Sequence, residues 1–434
     1  MQFPADSVPT VGILLKKSFI SIILPILSKA VTALLRRLDP LRVCAYLAVF
    51  AFTLWMFLRQ YQFVRTDLHV HAVIASEFNF RDLHSITSRL AYPLWHICVA
   101  ILYQLGVPLI WASAVVCALV KVLGMFLVIF LITFSTKGQI NKHIVTLAGF
   151  IIMFITGILV PGFNDGVYRG VGSPTTWHNP TQLMVTVSML LCVPYIAHCW
   201  YHFERRLPES GQKTMLPWSK MILLAFLLMF SLACKPTFMQ AFLPACLSFF
   251  LVQWIRHPKN SLFFLQLALA FLPAVCYFCL QYLYYTGVVV PYTSGVEFGV
   301  SLDSAWGAVR SMLIMGAFPL FVLLCGWKKS LLQDKMLTIT LLMIGFSVIE
   351  AMFFRETGLR YGHGNFQWAS MSSALMLWVL MVGRFLRSFT NFLKRTQRSW
   401  YGWASFSVSF ALLGWHVYSG GFYLWYLLVS NSAF

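Results

Sequence analysis

Between Arg59 and His96 the chain reads RQYQFVRTDLHVHAVIASEFNFRDLHSITSRLAYPLWH, which holds Asp67, Glu77, Asp82 and four histidines. The whole sequence is 59% hydrophobic and 10% charged, so this density of ionisable groups stands apart. Charge held beside a bilayer is expensive and tends to mark function. Asp67 follows the end of an apolar run by a few residues, where a partly desolvated carboxylate can act as a general base. The stretch TDLHVHAVIASEF also begins like a capped helix, so the same residue has a structural reading as an N-cap. His69 and His71 with Asp67 form an Asp-x-His-x-His string. On a strand all three would share a face, on a helix only Asp67 and His71 would. The helical flanks disfavour a divalent metal, and no cofactor is expected.

Three further stretches could act with Asp67. PGFNDGVYRGVGSPTTWHNPTQ (161–182) carries Asp165, Arg169, Trp177 and His178 among glycines and prolines. An indole face suits a sugar ring and an imidazole suits hydroxyls, whereas Asn179 before Pro180 reads as a helix cap. Lys235 in ACKPTFMQ needs an anion or the membrane interface, and a phosphate would satisfy it. IEAMFFRETGLRYGHGNFQW (349–368) offers Glu356, Arg360 and His363. Arg360 could grip a phosphate with two parallel hydrogen bonds, or the Glu and Arg residues could simply tie helix ends together. Glu77 and His71 complete the set of candidate substrate-binding residues. No phosphate-cradling glycine motif or serine-nucleophile motif occurs in a supporting context.

The elements that must position these groups are apolar. A mean hydropathy of +0.76 with 39 Phe and 15 Trp describes a polytopic membrane protein. With about 20 residues per crossing, the reading is an all-α transmembrane bundle of about 11–12 spans. The net charge of +19 gathers in short connections, which is the pattern of a cytoplasmic face and not of a nucleic-acid binder. Segments 135–143, 202–213, 255–260, 326–335 and 383–398 are placed there. Residues 1–42 read as a basic amphipathic segment on the cytoplasmic surface, and 43–434 as one membrane domain. Single crossings are expected at 43–58, 109–134, 143–160, 181–200, 219–234, 237–255, 261–286, 306–325, 336–354, 366–383 and 401–419. The first outer loop spans 59–108, with 93–106 as a re-entrant or interfacial helix. The tail 418–434 is a separate short helix. Asp67, 161–180, Lys235 and 355–365 then share the outer face. The ten cysteines lie in or beside apolar runs and read as small hydrophobes.

An acid in the loop after the first crossing, the Pro-Leu-Trp-His start of an outer helix, the CKPTF junction and the WHNPT segment together resemble the GT-C superfamily of membrane glycosyltransferases, in an uncharacterised bacterial branch. The resemblance covers most of the chain as a layout, through short motifs. It implies transfer of a sugar from a polyprenyl-phosphate donor to a cell-surface glycan or glycolipid acceptor. The reaction would invert the anomeric carbon, with Asp67 as base and Lys235 and Arg360 on the donor phosphate. It also implies a multi-pass plasma membrane location with the site facing outward. The sequence departs from the commoner patterns in having one Asp where a pair is usual, which leaves the second acid to Glu77 or Asp165. A lipid-linked sugar flippase or a polysaccharide polymerase is the competing reading.

Overall fold

In a computed structural model of the chain, the structure describes residues 39–64, 66–82, 85–86, 91–164, 172–207, 215–285, 295–300, 302–326, 333–358 and 364–429. The expected amphipathic segment therefore lies almost wholly outside the described residues. Among the described residues thirteen α-helices dominate, and their apolar runs set their lengths. They are α1 (Pro40–Phe63), α2 (Asp67–Ser76), α3 (Leu94–Gln104), α4 (Leu109–Ser135), α5 (Lys142–Ile152), α6 (Pro180–Arg206) and α7 (Trp218–Cys234). The chain continues through α8 (Thr237–Arg256), α9 (Ser261–Tyr285), α10 (Leu302–Cys325), α11 (Lys335–Phe353), α12 (Trp368–Leu393) and α13 (Trp400–Val429). One antiparallel ribbon joins β1 (Val296–Phe298) to β2 (Phe354–Glu356), with Glu297 opposite Arg355.

The protein is an all-α, multi-pass membrane bundle. Among the described residues eight helices have the length and hydropathy of a membrane span, against the 11–12 spans expected from sequence. The difference has physical causes. α5 has 11 residues and α7 has 17, and α13 dilutes its apolar residues with Ser, Gly and His. α3 has 11 residues, about 16 Å of helix at about 1.5 Å per residue. It cannot cross about 30 Å of hydrocarbon, in keeping with an interfacial helix. α12 runs on to Leu393, well past the expected boundary, and α13 continues to Val429 as one helix where two were expected. α12 and α6 form the buried centre, and α1 and α9 lie at the rim. Trp55, Phe126, Phe130, Phe226 and Leu269 are exposed along the outer helices, as lipid-facing side chains are.

Side-chain contacts sort the helix ends into two groups. Asp39 pairs with Lys142 and His143, Glu204 with Lys335, and Asp334 with Arg384, so these residues share one end. Asp67 meets Asn179, Lys235 meets Trp368, and Gln281 meets the Leu232 and Ala91 carbonyls at the opposite end. Arg59 donates to the Leu428 carbonyl there too.

The expected crossing at 143–160 is not a continuous helix. α5 stops at Ile152, and residues 155–160 run without helix while buried or nearly so. Backbone groups out of water must find partners inside the protein, and here α13 and α10 supply several. His416 Nδ1 donates to the Thr156 carbonyl at 2.6 Å, and Ser419 Oγ accepts from the Leu159 amide at 3.0 Å. Trp415 donates to the Leu159 carbonyl, and Asn164 bonds both Val160 N and Ile158 O. The Ile158 amide reaches the Ile314 carbonyl on α10 at 2.9 Å. Near that turn Pro319 deprives Met315 O of its helical donor, and Trp378 Nε1 fills the gap at 2.8 Å. A Cβ at Gly420 would overlap the Phe154 carbonyl, so only glycine lets α13 approach this segment so closely.

Candidate functional site

The site is made where α2, α6 and the α7–α8 junction meet. Thr66 caps α2 by accepting from the Leu68 amide at 3.3 Å, so Asp67 is not the cap. Its carboxylate sits in the first turn, where negative charge is favoured, and is left available to its neighbours. Pro180 opens α6, and the residue before a proline is held extended. Asn179 obeys, with φ −115° and ψ 106°. Its Oδ1 then receives the Gln182 amide at 2.9 Å, Thr181 Oγ1 at 2.9 Å and Lys235 Nζ at 3.4 Å. With donors all round Oδ1, the Nδ2 group must be the one that faces Asp67 Oδ2, at 2.6 Å. Pro236 has the same effect on Lys235, which breaks α7 from α8 in extended conformation. The ammonium lies 4.2 Å from the centre of the Trp368 indole, an arrangement that favours a cation. Gln182 braces the group through Thr237 and Ser372.

Two imidazoles flank this unit. His71 lies one helical turn beyond Asp67 and bonds His96 on α3, Nδ1 to Nε2, at 2.9 Å. The buried Nδ1 of His96 has no partner. An unpaired acceptor is cheaper than an unpaired N–H, so His96 donates from Nε2 and His71 carries its proton on Nε2. His178 Nδ1 pairs with the Tyr423 hydroxyl at 2.8 Å, and its ring lies 5.6 Å from Trp368. Burial lowers the pKa of both His71 and His178. The Asp67 carboxylate opposes that shift and the Lys235 ammonium adds to it. Both rings are therefore neutral near pH 7, and both feel the same Asp67–Lys235 charge pair. Burial together with His71 holds His96 neutral as well.

The structure thus brings Asp67, His71, His178 and Lys235 together. Trp177 goes elsewhere. It is 1% exposed, stacked on Phe154 and met edge-on by Phe52, and Lys121 Nζ lies 4.1 Å from its ring centre. Its indole faces the bundle and offers no open platform for a sugar. Glu77 is the exposed C-cap of α2, about 15 Å along the helix from Asp67 at about 1.5 Å per residue. Glu356 accepts from Asn365 at 2.5 Å beside the β1–β2 ribbon. Asp165, Arg169, Arg360 and His363 lie outside the described residues. Because residues 67–71 are helical, His69 turns away from Asp67 and packs edge-on against Tyr61. Among the described residues no three His, Cys, Asp or Glu side chains converge as metal ligands.

Four residues here escaped the sequence reading. Asn179 does more than cap α6, since it links the two charges of the site. Trp368 and His96 lay outside the candidate set. Lys121 sits mid-helix in α4, 4% exposed, with an indole as its neighbour. A lysine inside an apolar run of 27 residues is a signal in itself. No protein-family model matches this chain, and no curated protein matches it either.

Proposed function

We propose that the protein is a membrane glycosyltransferase of the GT-C type, transferring a sugar from a polyprenyl-phosphate donor to a glycan or glycolipid acceptor on the outer face. The observation that carries the reading is the Asp67–Asn179–Lys235 unit. It places a carboxylate and an ammonium on either side of one amide, at the mouth of a lipid-embedded bundle. In the proposed reaction Asp67 takes the proton of the acceptor hydroxyl as that oxygen bonds to the anomeric carbon. The bond from that carbon to the donor phosphate oxygen breaks on the opposite side, giving inversion. Lys235 stabilises the charge that collects on the departing polyprenyl phosphate. The neutral His71 Nε2–H is a hydrogen-bond donor for a sugar hydroxyl or a phosphate oxygen.

Asp67→Asn tests this directly, because an amide keeps the size of the group and can still accept from Asn179. Loss of a general base lowers the rate by roughly 10²–10⁴-fold. Donor consumption by protein reconstituted in vesicles should fall by that factor, with the melting profile unchanged. Full activity in the variant would remove the assignment of Asp67 as base.

A second reading has its own support. The non-helical, buried segment after α5 resembles the interrupted helices around which transporters move. A lipid-linked sugar flippase would move a fluorescent donor analogue across vesicles without consuming it. Translocation without consumption would favour that reading over transfer.

A further inference from the structure

At the end of the bundle opposite Asp67, a cavity of about 350 Å³ lies between the α4–α5 turn and the last turns of α12. Its origin is geometric. Gly383 lets α12 press against Ser135 at the foot of α4, where a Cβ would overlap the serine hydroxyl. Immediately below, Lys137 at φ 54° and Gly138 at φ 66° turn the chain away into α5. The two helices part, and the gap is lined by Gln139, Ile140, Arg387, Thr390, Asn391 and Lys394. Arg387, Thr390 and Asn391 of α12 and its C-cap Lys394 fall at i, i+3, i+4 and i+7, so they occupy one helical face.

The lining carries two cations, two amides and a hydroxyl, and no acid. Arg384, one turn earlier, is answered by Asp334 at 2.7 Å. Among the described residues no ion pair answers Arg387 or Lys394. A cavity of this volume lies within the range of ligand sites, about 300–1,000 Å³. Basic pockets between membrane helices at the cytoplasmic surface suit anionic lipid headgroups, and a guanidinium can grip two phosphate oxygens at once.

We propose that this cavity binds a phosphate group, supplied by the headgroup of an anionic phospholipid. Arg387 holds two phosphate oxygens, and Lys394 adds charge two turns further on. Thr390 and Asn391 hydrogen-bond the remaining oxygens or the glycerol hydroxyls. The Asp67 site is at the other end of the bundle, so this proposal is independent of the transferase reading.

The test is native mass spectrometry of the full chain in detergent, after exposure to mixed micelles of phosphatidylglycerol with phosphatidylcholine. Phosphatidylglycerol should remain bound to the wild type in preference to phosphatidylcholine. Each cation near the surface is worth about fivefold in affinity, so the double variant R387Q/K394Q should lose roughly 10-fold or more. R387K/K394R keeps both charges and should keep most of the binding. Displacement of the lipid by millimolar inorganic phosphate would mark phosphate as the recognised group. Phosphate binding without a lipid adduct would assign the site to free phosphate, overturning the lipid source. Equal phosphatidylglycerol retention by the wild type and a folded R387Q/K394Q protein would overturn the proposal, leaving the two cations as charges that merely complement helix ends.

Discussion

An amide set between a carboxylate and an ammonium does more than fill space. Asn179 presents its N–H to Asp67 and its oxygen to Lys235, so its dipole is aligned with the field between the two charges. The charges are separated without either being left bare. This role was hidden in the sequence because the local pattern Asn-Pro-Thr is fully explained by helix capping. Asp67, Lys235 and His178 were legible because a charge or an imidazole in an apolar chain demands an account. Lys121 was not, since averaging hydropathy over a span absorbs one lysine. Its position makes a prediction. Among the described residues the Trp177 indole is the one partner of this buried cation, and no acid answers it; holding a charge out of water costs free energy unless it is paired. Lys121→Met should leave the melting temperature in detergent unchanged or raised. A marked fall would show that the ammonium supports the fold through contacts beyond Trp177.

At the scale of elements, apolar runs announced most helices within a few residues. They failed at 153–160, because MFITGILV is apolar enough to pass for the continuation of a helix. Gly157, Pro161 and Gly162 were the available warning. What holds this segment open is distant in sequence, and His416 is its central support. The ring donates through Nδ1 to the Thr156 carbonyl and accepts at Nε2 from the Phe318 amide at 3.4 Å. These two bonds fix its neutral tautomer. His416→Leu keeps the ring's apolar volume and orphans both backbone groups, at about 1–3 kcal/mol for each. Thermal or denaturant unfolding in detergent should register that loss. His416→Asn, which can donate and accept through one side chain, should recover part of it. Equal stability of the leucine variant and the wild type would mean that other groups satisfy this backbone.

For the molecule as a whole, the charge pattern decides which helix ends belong together, and the contacts bear that sorting out. The interrupted segment after α5 is the step on which the arrangement depends. Had residues 142–164 turned back instead of crossing, Asn179 could not lie beside Asp67, and every later loop would change ends. The segment does cross, so one end gathers Lys142, Lys335 and Arg384, and the other gathers Asp67, Lys235 and the β1–β2 ribbon. The proposed function needs the basic end in the cytoplasm, the direction that the positive-inside rule favours. Single cysteines can check this in a background without the exposed Cys44, Cys276, Cys279 and Cys325. Gly358→Cys, at an exposed turn after β2, should react with an impermeant maleimide on intact cells. Lys259→Cys, exposed between α8 and α9, should react only after permeabilisation. The reverse pattern would invert the protein in its membrane and move the Asp67 site to the cytoplasmic face, where a donor displayed outside could not reach it.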